Sequence, residues 1–191
     1  MILGFSITAL GLVLILQSNL GMGPWGALAV GVSRTTILTV GQVTQLISLV
    51  LVVISWLLKV MPSLVTVMNM FFIGLFMDMF LKFLPLADRV STQILFFVVG
   101  LAVYSFGIAF YLSFSNSNSG PRESLMLGLS RVLRISLRKS RIGIDVTVLV
   151  IAAFMRGPIG VGTLVFAISA GPLIQGFLRL AKYQSEPGKT R

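Results

Sequence analysis

The chain has 191 residues, 56% of them hydrophobic and only 10% charged, whereas a soluble domain carries about 25% charged residues. Its 15 basic and five acidic residues cannot cover a water-facing surface, which excludes an ordinary soluble domain. The net charge of +10 would suggest nucleic acid in a soluble protein, but in a chain this apolar Lys and Arg gather in cytoplasmic loops, and no aromatic stacking pattern accompanies them.

The absence of Cys and His excludes disulfides, thiol chemistry, imidazole relays and Cys/His metal sites. No cofactor and no metal are expected. No HExxH or GxSxG motif points to an enzyme.

The first apolar run covers 2–17. No basic stretch precedes it and no small-residue cleavage site follows, so it reads as a retained span rather than a signal peptide. Its abrupt start suggests a late start codon or a trimmed N-terminus. The stretch "NLGMGPW", Asn19 to Trp25, then breaks the hydrophobic run. Proline suits the first turn of a helix, and glycine before it lets the chain turn sharply. A short helix is therefore expected over 24–33. Further spans are expected over 40–58 and 64–84, with a tight turn at 61–63 between them. The polar linker "PLADRVSTQ" follows at 85–93, then a fourth span over 94–114.

A second break, "NSNSGPR", runs from Asn116 to Arg122 and opens a second short helix over 121–131. A basic stretch from Arg131 to Arg141 leads into a fifth span over 142–155. After a turn at 157–160 a sixth span covers 161–180, and a polar, disordered tail, 183–191, ends the chain. The runs do not alternate, which argues against a β-barrel. The fold class is an all-α polytopic membrane protein with about six transmembrane helices.

The two breaks are related. At a constant offset of 97, 13 of the 61 positions from Gly23 to Phe83 match those from Gly120 to Leu180. Gly23, Pro24, Gly31, Ser33, Arg34, Thr66 and Gly74 all recur, and Asn19 pairs with Asn116. The chain thus divides into repeats at 1–90 and 91–182. Each holds three spans, an odd number, so the second should sit inverted relative to the first. The charges agree. With six spans, eleven basic residues fall on one side and Arg34, Lys82, Arg89 and Arg156 on the other, which puts both termini in the cytoplasm. A rival scheme lets each short element cross, giving eight spans and a parallel repeat. About ten residues rise only ~15 Å as helix, half a bilayer, which favours six.

Broken elements at matching places in two inverted halves point to a transporter site at membrane depth. The candidate substrate-binding residues are Asn19, Gly23, Pro24, Asp78, Asn116, Gly120, Pro121, Arg122 and Glu123. A short helix N-terminus offers bare N–H groups, and Arg122 adds an anion-binding donor. The quieter reading makes the short elements interfacial caps and leaves Glu123 to favour its helix dipole. Asp78 and Lys82, and Arg141 and Asp145, stand at helical pairing distance. Gly74, Gly171 and Gly176 are expected to let helices pack closely rather than to line a pore. The stretch from Arg131 to Arg141 is expected to touch anionic lipid.

The segments "SNLGMGPWGALAVGVSR", "NSNSGPRESLMLGLSR" and "RGPIGVGTLVFAISAGPLIQGFLRL" resemble the YczE branch of the YczE/YyaS/YitT bacterial membrane proteins over nearly the whole chain. The resemblance implies a bacterial inner-membrane protein and supplies no substrate or reaction. In that family an acid commonly follows the first Pro-Trp and the second Pro-Arg. Here it is kept as Glu123, while Gly26 stands at the first position.

The leading expectation is a small secondary transporter or permease of an unknown small molecule. The alternative is a non-transporting membrane accessory or scaffold protein that assists a partner enzyme or assembly. Association with a second copy or a protein partner is compatible with both.

Overall fold

The computed structural model describes residues 1–113 and 120–185, and these form eight helices and no strand. In chain order they are α1 (Ile2–Gln17), α2 (Pro24–Thr35), α3 (Val40–Leu57), α4 (Leu64–Leu81), α5 (Val90–Ser113), α6 (Pro121–Leu133), α7 (Leu137–Phe154) and α8 (Val161–Ser185).

Local chemistry sets the starts. Thr39 and Gln42 form a reciprocal capping box at α3, satisfying two otherwise orphaned N–H groups. Ser63 caps α4 through Thr66 N and Ser136 caps α7 through Lys139 N. The two short helices, α2 and α6, have no such cap and begin on Pro24 and Pro121. The starts of α2 and α6, of α3 and α7, and of α4 and α8 are each 97 residues apart. Lys59 and Arg156, separated by the same interval, both turn left-handed (φ 61° and 54°) just beyond α3 and α7.

The centre of the molecule is α1 against α5. Glycines bring the backbones together: a Cβ at Gly4 would lie 2.7 Å from that of Tyr111, one at Gly11 2.3 Å from Tyr104 N, and one at Gly107 2.6 Å from Thr8 N. Contact positions fall along α5 as they rise along α1, so the two helices run antiparallel. α4 packs on α1, and α8 on α5. The short helices cross over: α2 packs on α7 and α6 on α3. Gly31 meets Met155 and Gly128 meets Leu58, contacts that the 97-residue interval converts into each other.

The outer faces are apolar. Leu49, Val53 and Trp56 on α3, Phe71 and Leu75 on α4, Leu95 and Val98 on α5, and Leu164 and Ile168 on α8 all point away from the core. A belt of that extent is not kept in water, and hydrocarbon is its natural solvent. Four helices, α3, α4, α5 and α8, are long and apolar enough to cross a membrane. The chain is an all-α membrane protein. α1 has 16 residues, about 24 Å of helix, and α7 is 18 residues long but opens with Arg138, Lys139 and Arg141.

Several boundaries differ from the expected ones. α2 reaches Thr35, and α6 reaches Leu133 before a left-handed Arg134. α5 starts at Val90, inside the expected linker. α7 starts at Leu137, so the basic stretch expected before it is partly helical. α8 continues to Ser185, into the expected disordered tail, whose remainder lies outside the described residues. The cause is common to all five. Hydropathy marks where hydrocarbon ends, whereas caps and backbone geometry decide where a helix ends.

Candidate functional site

After α1 the chain turns back along the start of α8. Gly162 N donates to the Leu20 carbonyl at 2.8 Å, and Met22 N to that of Pro158 at 3.2 Å. Gly21 has φ 102°, and a Cβ there would stand 2.6 Å from Gly160 N, so only glycine fits. Gly23 lies against Phe166, one turn inside α8. α2 then climbs back alongside α7 until Arg34 donates to the Arg156 carbonyl at 2.8 Å. It starts in the interior and ends at the edge.

α6 starts at the same interior point. The Arg122 guanidinium carbon sits 5.4 Å above the centroid of the Trp25 ring, a cation–π arrangement. Trp25 and Arg122 each directly follow a Gly-Pro pair, 97 residues apart. The Trp25 indole N–H also donates to Asp145 Oδ1 at 3.2 Å, and Arg141 Nε stands 3.7 Å from Asp145 Oδ2. That is the one ion pair among the described residues.

A cavity of about 260 Å³ opens here between α2, α5, α6, α7 and α8. Arg122, Glu123, Arg141 and Asp145 give it two charges of each sign, and Tyr104 and Gln175 add polar groups. Phe166 and Ile174 supply part of the apolar wall. On the far side of Arg122 and Glu123 lies a narrower space of about 50 Å³, reached by Ser48, Asn69, Tyr104 and Tyr111. There Asn69 Nδ2 donates to the Tyr111 hydroxyl at 3.3 Å. Arg122 and Glu123 therefore stand between a wide chamber and a narrow one.

The corresponding helix pairs differ. α3 and α4 are zipped: a Cβ at Gly41 would meet the Gly74 carbonyl at 2.1 Å, and Gln45 Nε2 donates to the Phe71 carbonyl at 2.8 Å. Asp78 closes the zip by accepting from Gly41 N at 2.8 Å and from the Thr39 hydroxyl. In α7 and α8 the matching positions are Arg138, Gly171 and Gln175. An arginine replaces the glycine, Gly171 has no neighbour within 4 Å of an added Cβ, and the cavity occupies the gap.

The expected site residues divide accordingly. Pro24, Gly120, Pro121, Arg122 and Glu123 line one or both of the two spaces, and Gly23 lines a small adjoining pocket with Pro24 and Arg122. Asn19 does not: it is an exposed left-handed residue (φ 56°) where α1 ends. Asp78 does not either, since both its oxygens hold the start of α3, and it forms no ion pair with Lys82. Asn116 lies outside the described residues. Gly74 packs tightly as expected, whereas Gly171 lines the cavity. Trp25 and Tyr104 join the site without having been expected there, and Arg141 and Asp145, expected as a helical pair, line it as well. The 97-residue register, which sets Trp25 opposite Arg122, was the signal for the first.

The family of unknown function DUF6198 matches residues 1–179, and the chain belongs to it. An uncharacterized protein of Haemophilus influenzae is 31% identical over 180 residues, covering 94% of this chain and 82% of that one. The uncharacterized membrane protein YczE of Bacillus subtilis is 32% identical over 174 residues, covering 90% and 80%. The uncharacterized protein YyaS of the same organism is 31% identical over 184 residues, covering 94% and 91%. The resemblance read from the Gly-Pro motifs is borne out. No solved structure matches the chain.

Proposed function

We propose that this family member is a small secondary transporter of the bacterial inner membrane, with six spans in two inverted halves and its substrate site between them. The observation that carries this reading is the meeting of two uncapped half-length helices, α2 and α6, at a charged cavity in an otherwise apolar molecule. Backbone that breaks at membrane depth is tolerated where protein buries it or water lines it, and paired breaks in inverted repeats are a usual place for substrate.

Three further facts support the inverted arrangement. The starts of α2, α3 and α4 recur 97 residues later in α6, α7 and α8, α1 and α5 run antiparallel, and the contacts of α2 on α7 mirror those of α6 on α3. A charge at mid-membrane costs on the order of 2.5 to 3.5 kcal/mol on insertion scales, so Arg122 is an expensive residue without a ligand or water. The zipped α3–α4 pair and the parted α7–α8 pair fit a carrier open through one half and shut through the other. A scaffold would have no use for a polar chamber at its centre.

A substrate-blind experiment tests the reading. Cells overproducing the wild type and cells overproducing Arg122→Ala, matched for membrane insertion, are compared for intracellular and medium metabolites. A metabolite redistributed by the wild type and not by the variant is expected. Identical profiles for the two would remove the transport reading and favour the accessory role.

A further inference from the structure

The Tyr104 side chain is only 7% exposed, forms no hydrogen bond among the described residues, and lines both the wide and the narrow space. No buried side-chain polar atom is left without a partner among the described residues, so the Tyr104 hydroxyl opens onto these spaces, where a ligand or solvent group can meet it. Arg122 likewise makes no hydrogen bond or ion pair and has only the face of Trp25. Glu123 is next to it in the chain and also forms no ion pair, although it lines the same two spaces. Asp145 and Arg141, by contrast, already hold each other and the indole.

The site thus presents one unpaired cation and one unpaired anion on consecutive residues, whose Cα atoms are about 3.8 Å apart. The uncapped N–H groups at the start of α2 favour negative charge beside Arg122, whereas at the start of α6 the Glu123 carboxylate folds back towards Gly120. Resting on the transport reading, we propose that the substrate is a small zwitterion whose two charges lie close together, an α-amino carboxylate or its like. Its carboxylate takes Arg122, the Tyr104 hydroxyl and the start of α2. Its ammonium takes Glu123. Its side chain lies along Phe166 and Ile174. An anion alone would leave Glu123 facing like charge, and a cation alone would leave Arg122 unpaired. A net-neutral ligand satisfies both, and it adds no charge to the interior when the carrier changes state.

The protein carries its own reporter. Of its two tryptophans, Trp25 is at the site, while Trp56 is 61% exposed on the outer face of α3. Full-length Trp56→Phe in lipid nanodiscs is titrated with leucine, isocaproate and isoamylamine, which share a carbon skeleton and differ in charge, and with the other common α-amino acids. At least one α-amino acid should change Trp25 emission saturably. Its deaminated and decarboxylated analogues should bind about tenfold more weakly or worse, because each leaves a charged group unpaired. Arg122→Lys should recover part of the binding lost in Arg122→Ala. Glu123→Gln should weaken the zwitterion and spare the carboxylate. If isocaproate binds as well as leucine, or Glu123→Gln changes nothing, the site reads an anion and the zwitterion proposal is overturned while transport stands. If no amino acid is felt, the proposal is also overturned, and the metabolite comparison of wild type and Arg122→Ala decides separately whether the protein transports at all.

Discussion

The Arg122 guanidinium carbon lies 5.4 Å from the centroid of the Trp25 ring, and the two residues, 97 positions apart, each come next after a Gly-Pro pair. The contact joins the first turns of α2 and α6. A guanidinium stacks well on an indole because it is planar and weakly hydrated. The attraction is worth about 0.5–1 kcal/mol at exposed sites and about 2 or more when desolvated.

Trp25→Phe should keep an aromatic face for Arg122 and lose the hydrogen bond to Asp145, whereas Trp25→Ala loses both. Thermal melts of the purified protein should rank wild type above Trp25→Phe above Trp25→Ala. The first step should be roughly 1 kcal/mol, and the second should be larger. Equal melting of the two variants would mean that the ring face contributes nothing.

Gly74→Ala and Gly171→Ala, 97 positions apart, provide a matched comparison. A Cβ at Gly74 would meet the Gly41 carbonyl and the Gln45 side chain at 2.5 Å, so the first should cost about 1–3 kcal/mol by overpacking. At Gly171 nothing stands within 4 Å, and alanine is the better helix former by about 1 kcal/mol. The second should be neutral or stabilising. Comparable losses of melting temperature would contradict the difference between the zipped and parted pairs.

Much of this was legible in the residues. Gly-Pro pairs start helices for backbone reasons that do not depend on tertiary context, so Pro24 and Pro121 marked α2 and α6 to the residue. The 97-residue register was visible because Gly, Pro, Ser and Arg seldom coincide by chance in an apolar chain. Asp78 was misread because its partners, Thr39 N-terminal to α3 and the Gly41 amide, depend on how α3 crosses α4, and local spacing suggested Lys82 instead. Asn19 was misread because an asparagine serves equally as a ligand group and as a left-handed turn residue. Gly171 was misread because a glycine that packs and a glycine that faces a cavity look alike in sequence.

Asp78→Asn should keep one acceptor and lose the charge, and Asp78→Ala should lose both contacts to α3. The expected order of stability is wild type, Asp78→Asn, Asp78→Ala, with the alanine variant down by about 1–3 kcal/mol. Metabolite redistribution by Asp78→Asn should persist, because the carboxylate lies away from the cavity. A variant that folds normally and yet loses all redistribution would return Asp78 to the site.

Topology is testable by single cysteines, since the chain has none. A membrane-impermeant thiol reagent added to intact cells should label Asp88→Cys, between α4 and α5, and miss Arg138→Cys at the start of α7. Permeabilisation should expose the second. The opposite pattern, or labelling of both from outside, would contradict the six-span inverted arrangement.

On the transport proposal, water and solute reach the meeting point of α2 and α6 through the gap between α7 and α8. The most direct measurement compares the reaction of a small water-soluble thiol reagent with Gly171→Cys, in that gap, with Gly74→Cys, its counterpart in the zipped pair, and with Leu164→Cys on the outer face of α8, in native membranes. The expected result is rapid labelling of Gly171→Cys, with little at Gly74→Cys or Leu164→Cys, and protection of Gly171→Cys by a bound substrate. Gly171→Cys reacting as slowly as Leu164→Cys would mean that no aqueous path enters the molecule there, which would contradict the transport proposal.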